Sequence, residues 1–163
     1  MKPPEPFRPD PALKSLYYAY LAIGIAVGGL SWMLPVALAG FTMLPFEQAS
    51  LITACLFLPA LVILLITSWW IPRYYASISY QLGNQEIVIE RGVYWKHRHF
   101  VPYNRVTNID LMQGPLSRAY GLGTVRVQTA GYSSASSGTS HAEAVILGVR
   151  NFEALKDVIL TEV

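Results

Sequence analysis

The chain has 163 residues, of which 53% are hydrophobic and only 13% are charged, and its formal net charge is +2. Soluble domains carry roughly 25% charged residues, so this composition excludes a chain that is an ordinary soluble domain throughout. The charge deficit is local, because residues 73–163 carry nine Lys/Arg and seven Asp/Glu. The single cysteine, Cys55, excludes an intrachain disulfide and a cysteine-based metal site, and we interpret it as an apolar helix residue.

Residues 1–14 contain five prolines and several charged side chains. Proline lacks a backbone donor and blocks helix formation, so this stretch predicts an extended, mobile tail on the cytoplasmic side. A small-x-small sequence follows at 37–39, as at signal-peptide cleavage sites. Cleavage there is disfavoured, because the apolar run before it is too long for a signal peptide.

Residues 15–72 contain one charged side chain, Glu47, which divides them into two apolar arms. The arms span about 16–40 and 49–71, and a helix needs about 20 apolar residues to cross a bilayer. We therefore predict a two-helix transmembrane hairpin, with a kink at Pro59 and an end at Pro72.

The orientation of the hairpin follows from its flanking basic residues. Lys2, Arg8 and Lys14 precede the first arm and Arg73 follows the second, whereas the turn between the arms has no Lys or Arg. Basic residues favour the cytoplasmic side, so both termini are predicted to be cytoplasmic in a multi-pass protein of the plasma (inner) membrane.

Small residues mark one stripe of the first arm, where Gly24 and Gly28 are four apart. Such spacing lets another helix approach closely. The first interpretation is packing against Ala60 of the second arm, and the alternative is oligomerisation through the same stripe.

Beyond Arg73 the hydrophobic period becomes that of strands, with turn signals at Gly83 and Gly114. Asn151 is a good N-cap for a final amphipathic helix, and a short helical turn is predicted at 115–120. The order predicts a small antiparallel sandwich or open barrel closed by a C-terminal helix. The predicted strands span 76–82, 86–90, 95–103, 106–112, 125–129 and 142–149.

The combination of short motifs in this region resembles the bacterial pleckstrin-homology, membrane-flanked domain family (YdbS-like). The motifs are Arg91-Gly92, 101–106 (VPYNRV), 114–118 (GPLSR), 120–125 (YGLGTV) and 129–131 (TAG). The resemblance implies a pleckstrin-homology-like domain at 73–163 that follows two membrane helices. It implies no catalytic residues, and it implies a possible partner: a larger membrane protein that carries several similar domains.

Basic residues are concentrated between 91 and 126, where Asp110 is the only acid. A basic face would attract anionic headgroups, although these residues could equally be distributed around both sheets as a solvated surface. The turn at 82–85 has no charge, which argues against a specific phosphoinositide pocket like those in other pleckstrin-homology domains. The candidate lipid or partner contacts are Arg91, Lys96, Arg98, Arg105, Arg118 and Arg126.

Other chemistry is poorly supported by the sequence. His97 and His99 share one strand face, but the spacing to His141 does not indicate a zinc site, so we expect no metal or other cofactor. The Ser- and Gly-rich stretch at 131–140 lacks the order of a phosphate-binding loop and is interpreted as a flexible connector. No constellation of nucleophile, base and acid indicates an enzyme, and the mild positive charge disfavours nucleic-acid binding.

These observations together predict a non-enzymatic module for protein interaction or assembly at the inner leaflet. The module is expected to work in a homo-oligomeric or hetero-oligomeric membrane complex. The alternative is a peripheral module that contacts anionic lipid through the basic run at 91–126.

Overall fold

The computed structural model of the chain describes residues 6–129 and 144–162. They form two compact units: Tyr17–Pro72 make up one, and the residues up to Leu16 join those from Arg73 onward in the other. The connector predicted at 131–140 and His141 lie outside the described residues.

The first unit is a membrane hairpin. Helix α1 (Ala12–Ile23) continues through a π-helical segment (Gly24–Leu30) into α2 (Ser31–Met43), and α3 (Phe46–Ala76) follows after a short turn. The mean hydropathy reaches 2.0 within residues 12–43 and 2.7 within α3. Only 6% of the most apolar window of each is buried, so these are not the core helices of a soluble domain.

The hairpin helices are longer than the sequence pattern predicts. In particular, α3 continues past Pro72, where an end was expected, and stops only at Ala76. Proline removes one donor, but the residues after it are held by tertiary contacts. Tyr75 is 8% exposed, and its hydroxyl donates a 2.7 Å hydrogen bond to the carbonyl oxygen of Pro9.

The second unit contains two antiparallel three-stranded sheets. The first sheet has the order β1 (Ser79–Leu82), β2 (Glu86–Arg91), β3 (His97–Pro102), and a 3-10 turn at Tyr103–Arg105 leads out of it. The second sheet has the order β4, β5, β6. Its strands and the two helices of this unit are β4 (Val106–Met112), α4 (Pro115–Ala119), β5 (Gly123–Thr129), β6 (Ala144–Val149) and α5 (Phe152–Glu162).

Alternating apolar residues from both sheets form one core. Ile87 and Ile89 project from β2, and Val125 and Val127 from β5, and each is at most 1% exposed. Ile159 of α5 joins the same cluster. The predicted antiparallel sandwich closed by a C-terminal helix, attached to a membrane hairpin, is therefore confirmed.

The described residues before Tyr17, including the start of α1, are part of this domain. Phe7 forms an antiparallel bridge with Tyr80 of β1, with 2.8 Å backbone hydrogen bonds in both directions. Leu13 is 3% exposed. We call residues 7–16 the N-terminal segment. The expectation of a mobile tail is wrong for this segment, because backbone pairing and apolar burial fix it to the domain.

The N-terminal segment docks at a β-bulge in β6. Gly123 pairs with Val149 and Thr124 pairs with Leu147, so Gly148 is the extra residue. Gly148 has φ +70°, a conformation that favours glycine, and its carbonyl accepts a 2.8 Å hydrogen bond from the Asp10 backbone N–H. The bulge thus directs one backbone carbonyl toward the N-terminal segment.

Candidate functional site

The outer edge of β3 has no strand partner within the described part of the chain. β3 pairs with β2 on one side, in a register that places Ile89 opposite His99 and Val101 opposite Ile87. Of the residues described, none makes a backbone hydrogen bond to β3 other than through the β2 ladder. We call residues 97–100 of β3 the open edge, and each of them is exposed.

On the outer face of the first sheet, side-chain contacts orient the residues of the open edge. Arg98 lies opposite Glu90 in the β2–β3 register and forms an ion pair with it at 2.5 Å. The guanidinium carbon of Arg98 lies 6.0 Å from the ring centroid of Phe100, which is 50% exposed. Because the ion pair is solvent-exposed it contributes little stability, on the order of 0–1 kcal/mol, but it orients both side chains.

Strands β2 and β3 form a β-hairpin, which is distinct from the membrane hairpin. We call its turn, residues 92–96, the hairpin tip. Trp95 is 79% exposed and Tyr94 is 67% exposed. Gly92 has φ +126°, and a Cβ at this position would overlap the carbonyl oxygen of Trp95. The glycine is therefore required for this tight turn.

The predicted basic contacts do not share one face of the domain. Arg98 lies on the outer face of the first sheet, whereas Arg126 lies on the outer face of the second, since its neighbours Val125 and Val127 point into the core. Arg105 belongs to the 3-10 turn and Arg118 to α4. Arg91, Lys96 and Arg98 are the ones nearest the hairpin tip along the chain, but Arg91 pairs with His97 and Arg98 with Glu90 at successive register positions, so Arg91 and Arg98 lie on opposite faces of the first sheet.

The predicted helix-packing residues all line one cavity in the membrane hairpin. The helices meet at the turn, where Ala37 and Ala49 are buried, and a cavity of about 700 Å³ lies between them. Gly24, Gly28 and Ala60 line it, and an added Cβ on either glycine would meet nothing within 4 Å. The predicted close approach of α3 to these glycines is therefore not seen, and oligomerisation through the stripe stays a prediction.

Metal ligands are not brought together in the part of the chain that the structure describes. His97 and His99 are both exposed on β3. Within residues 6–129 and 144–162, no group of three His, Cys, Asp or Glu side chains could hold a metal ion.

Sequence reasoning missed the hairpin tip and the N-terminal segment. Part of the signal for the tip was present, since Tyr94 follows Gly92 between two predicted strands, but Trp95 was assigned to the strand at 95–103, which begins only at His97 in the structure. No local pattern indicated that Phe7 pairs with Tyr80, because that pairing is set by the whole fold.

Comparisons with known proteins agree with this architecture. The family model described as "Bacterial PH domain" matches residues 14–163. The UPF0699 transmembrane protein YdbS of Bacillus subtilis (strain 168) is 36% identical over 67 residues, which cover 40% of this chain and 42% of YdbS. The match thus spans less than half the length of that relative. No solved structure matches the chain.

Proposed function

Because this chain belongs to the bacterial PH domain family, we propose that it is a membrane-anchored, non-enzymatic interaction module. In this proposal the PH-type domain binds a partner protein at the inner leaflet and thereby assembles a membrane complex. Both termini are cytoplasmic, as the basic residues that flank the hairpin favour. The observation that carries the proposal is the open edge of β3.

An open strand edge is a binding site for another strand. Strand addition uses backbone hydrogen bonds for affinity and alternate side chains for specificity. The open edge offers four consecutive exposed residues, including the half-exposed ring of Phe100. Of the other three edge strands, β1 carries the bridge to Phe7 and β6 receives the hydrogen bond from Asp10, while β4 has no further strand partner within the described residues and serves as the comparison edge.

The charge of the open edge defines the partner that fits it. Arg98 is flanked by two histidines, and Lys96 precedes them. Because Glu90 already pairs with Arg98, Lys96 is the basic residue beside the open edge that favours an incoming strand with acidic side chains. Such a strand can belong to a larger membrane protein with several similar domains, which the family resemblance suggests, or to a second copy of this chain.

The connection between hairpin and domain supports a role close to the bilayer. The chain passes between the two units twice, after Leu16 and after Pro72. Two covalent connections keep the domain near the membrane, so the partner most accessible to it is another membrane protein.

The proposal is tested by the mass of the complex that is extracted in mild detergent from the membranes of cells that produce the protein naturally. We expect a particle heavier than one 18.1 kDa chain with its detergent. Phe100→Glu places a charge on the open edge, where it repels an acidic partner strand, and should reduce the particle to a monomer. The matched control is Met112→Glu on β4, a residue of similar exposure (47% against 50%), which should leave the complex intact. A monomeric wild-type protein, or a complex that Phe100→Glu leaves unchanged, contradicts the proposal.

The alternative function, contact with anionic lipid, has one specific observation in its favour. Of the six predicted basic residues, Lys96 belongs to the hairpin tip with its two exposed aromatic rings, and Arg91 directly precedes the tip. The region proposed to contact anionic lipid in this alternative is therefore the hairpin tip and not the whole run at 91–126.

A further inference from the structure

The hairpin tip exposes aromatic surface that the domain does not use for its own core. Tryptophan is well buried in most folded proteins, yet Trp95 is 79% exposed. Tyr94 beside it is 67% exposed. Aromatic rings with one polar edge prefer the headgroup level of a bilayer, where the ring is partly dehydrated and its polar edge stays in water.

The base of the tip holds the rings in a defined position. The Gly92 backbone N–H donates a 3.3 Å hydrogen bond to the Ser77 hydroxyl oxygen, so the start of the turn is attached to the end of α3. Arg91 and His97 close the ladder on the other side. A tight turn that is fixed at both ends loses little conformational entropy when it binds, which favours contact with a surface.

The charge around the tip matches an anionic surface. From Glu90 to Arg98 there are three Lys/Arg side chains and one acid. Arg98 is already paired with Glu90, which leaves Arg91 at the start of the turn and Lys96 within it. Each basic residue near an anionic leaflet increases partitioning about fivefold.

From these observations we infer that the hairpin tip docks into the headgroup region of an anionic leaflet. Trp95 and Tyr94 enter the interface and Lys96 contacts the lipid phosphates. This contact is separate from strand addition at the open edge. It requires only that the chain is anchored in the membrane, because the anchor keeps the tip at high local concentration near lipid.

The test uses the full-length protein in nanodiscs, with Trp32, Trp69 and Trp70 replaced by Phe so that Trp95 is the only tryptophan. In nanodiscs with anionic lipid we expect blue-shifted Trp95 emission, quenching by lipids brominated near the headgroup, and protection from iodide. In neutral nanodiscs or at high salt, we expect the emission to shift to the red and iodide to reach the ring, because screening weakens the attraction.

The position of the contact is tested by one charge reversal and its matched control. Lys96→Glu should lower the ratio of docked to undocked tip about fivefold or more. Arg118→Glu makes the same charge change at an exposed residue of α4 and should leave the ratio unchanged.

Three results overturn the inference. One is Trp95 emission that is the same in anionic and neutral nanodiscs. Another is an equal effect of both charge reversals, which would mean that the overall charge of the domain and not the tip is responsible. The third is protection from iodide without quenching by brominated lipid, which would mean that the tip contacts protein. These results concern lipid contact alone, and strand addition at the open edge is judged separately by the mass of the extracted complex.

Discussion

Replacing Gly148 by Ala tests whether the N-terminal segment is a structural part of the domain. A Cβ on Gly148 would lie 2.8 Å from one terminal methyl of Leu13 and 3.1 Å from the Leu13 Cβ. The methyl can rotate away, but the Cβ is fixed to the backbone of the segment. The substitution must therefore displace the segment or compress the contact.

The magnitude follows from a comparison with Gly121→Ala. Both glycines have a positive φ, +70° and +65°, so both substitutions carry the same backbone strain of about 1–2 kcal/mol. An added Cβ on Gly121 meets nothing within 4 Å. Gly148→Ala adds overpacking of about 1–3 kcal/mol, so it should lower the free energy of unfolding by about 2–5 kcal/mol in total.

The assay is urea-dependent proteolysis of the full-length protein in micelles, which reports on unfolding of the domain while the hairpin stays in detergent. Adding Leu13→Ala to Gly148→Ala should cost less than the sum of the two single substitutions, by roughly 0.5–3 kcal/mol, because the smaller side chain relieves the overlap. Equal costs for Gly148→Ala and Gly121→Ala, or strictly additive costs in the double substitution, would refute the claim that the segment packs on the bulge.

Three further substitutions compare how much individual contacts of the N-terminal segment contribute to stability. The effect of each is measured by hydrogen exchange of residues 7–16 and by the urea midpoint of unfolding. Leu13→Ala removes a side chain that is 3% exposed and should cost about 2–5 kcal/mol, whereas Leu160→Ala on α5, where the side chain is 50% exposed, should cost far less. Tyr75→Phe leaves the Pro9 carbonyl without its buried donor and should cost about 1–3 kcal/mol. Arg150→Ala breaks an exposed ion pair and should cost less than about 1 kcal/mol. The reverse ranking, with Arg150→Ala as the most damaging change, would mean that charge and not burial fixes the segment.

The membrane part and the β-sheet domain could both be predicted from the sequence, because each has a distinct composition or hydrophobic period. The absence of charge from Leu16 to Glu47, and again beyond it to Pro72, leaves a membrane hairpin as the simplest explanation. The alternation of Val125 and Val127 with polar residues fixes the inner face of β5 in the same way. Local patterns of this kind are sufficient for element type and for the class of fold.

The ends of the elements and the long-range contacts could not be predicted in this way. In the part of α3 that continues past Pro72, the hydroxyl of Tyr75 donates a hydrogen bond to the carbonyl of Pro9, 66 residues earlier in the chain. The pairing of Phe7 with Tyr80 likewise joins residues on either side of the whole hairpin. The proline-rich composition alone therefore predicted a mobile tail, whereas the structure has a segment that packs on the domain.

The candidate site was only partly predictable for a related reason. The basic residues at 91–126 are close in sequence, but strand reversal distributes Arg98 and Arg126 to opposite faces. The glycine stripe was recognised, but the π-helical segment from Gly24 to Leu30 was not, and a partly open cavity lies there in place of a close contact. The open edge of β3 could not be predicted from local sequence patterns, because it is identified only by the pairing of the other strands across the described part of the chain.

The most direct test of the proposed function is cross-linking from the open edge in intact membranes. Cys55 is the only cysteine, so Cys55→Ala gives a background into which His99→Cys introduces one thiol for a photo-activated cross-linker. The account predicts an adduct heavier than the 18.1 kDa chain from position 99, weakened by Phe100→Glu, and none from Met112→Cys on β4. No adduct from position 99, or equal adducts from both positions, would contradict the claim that the open edge of β3 binds the partner.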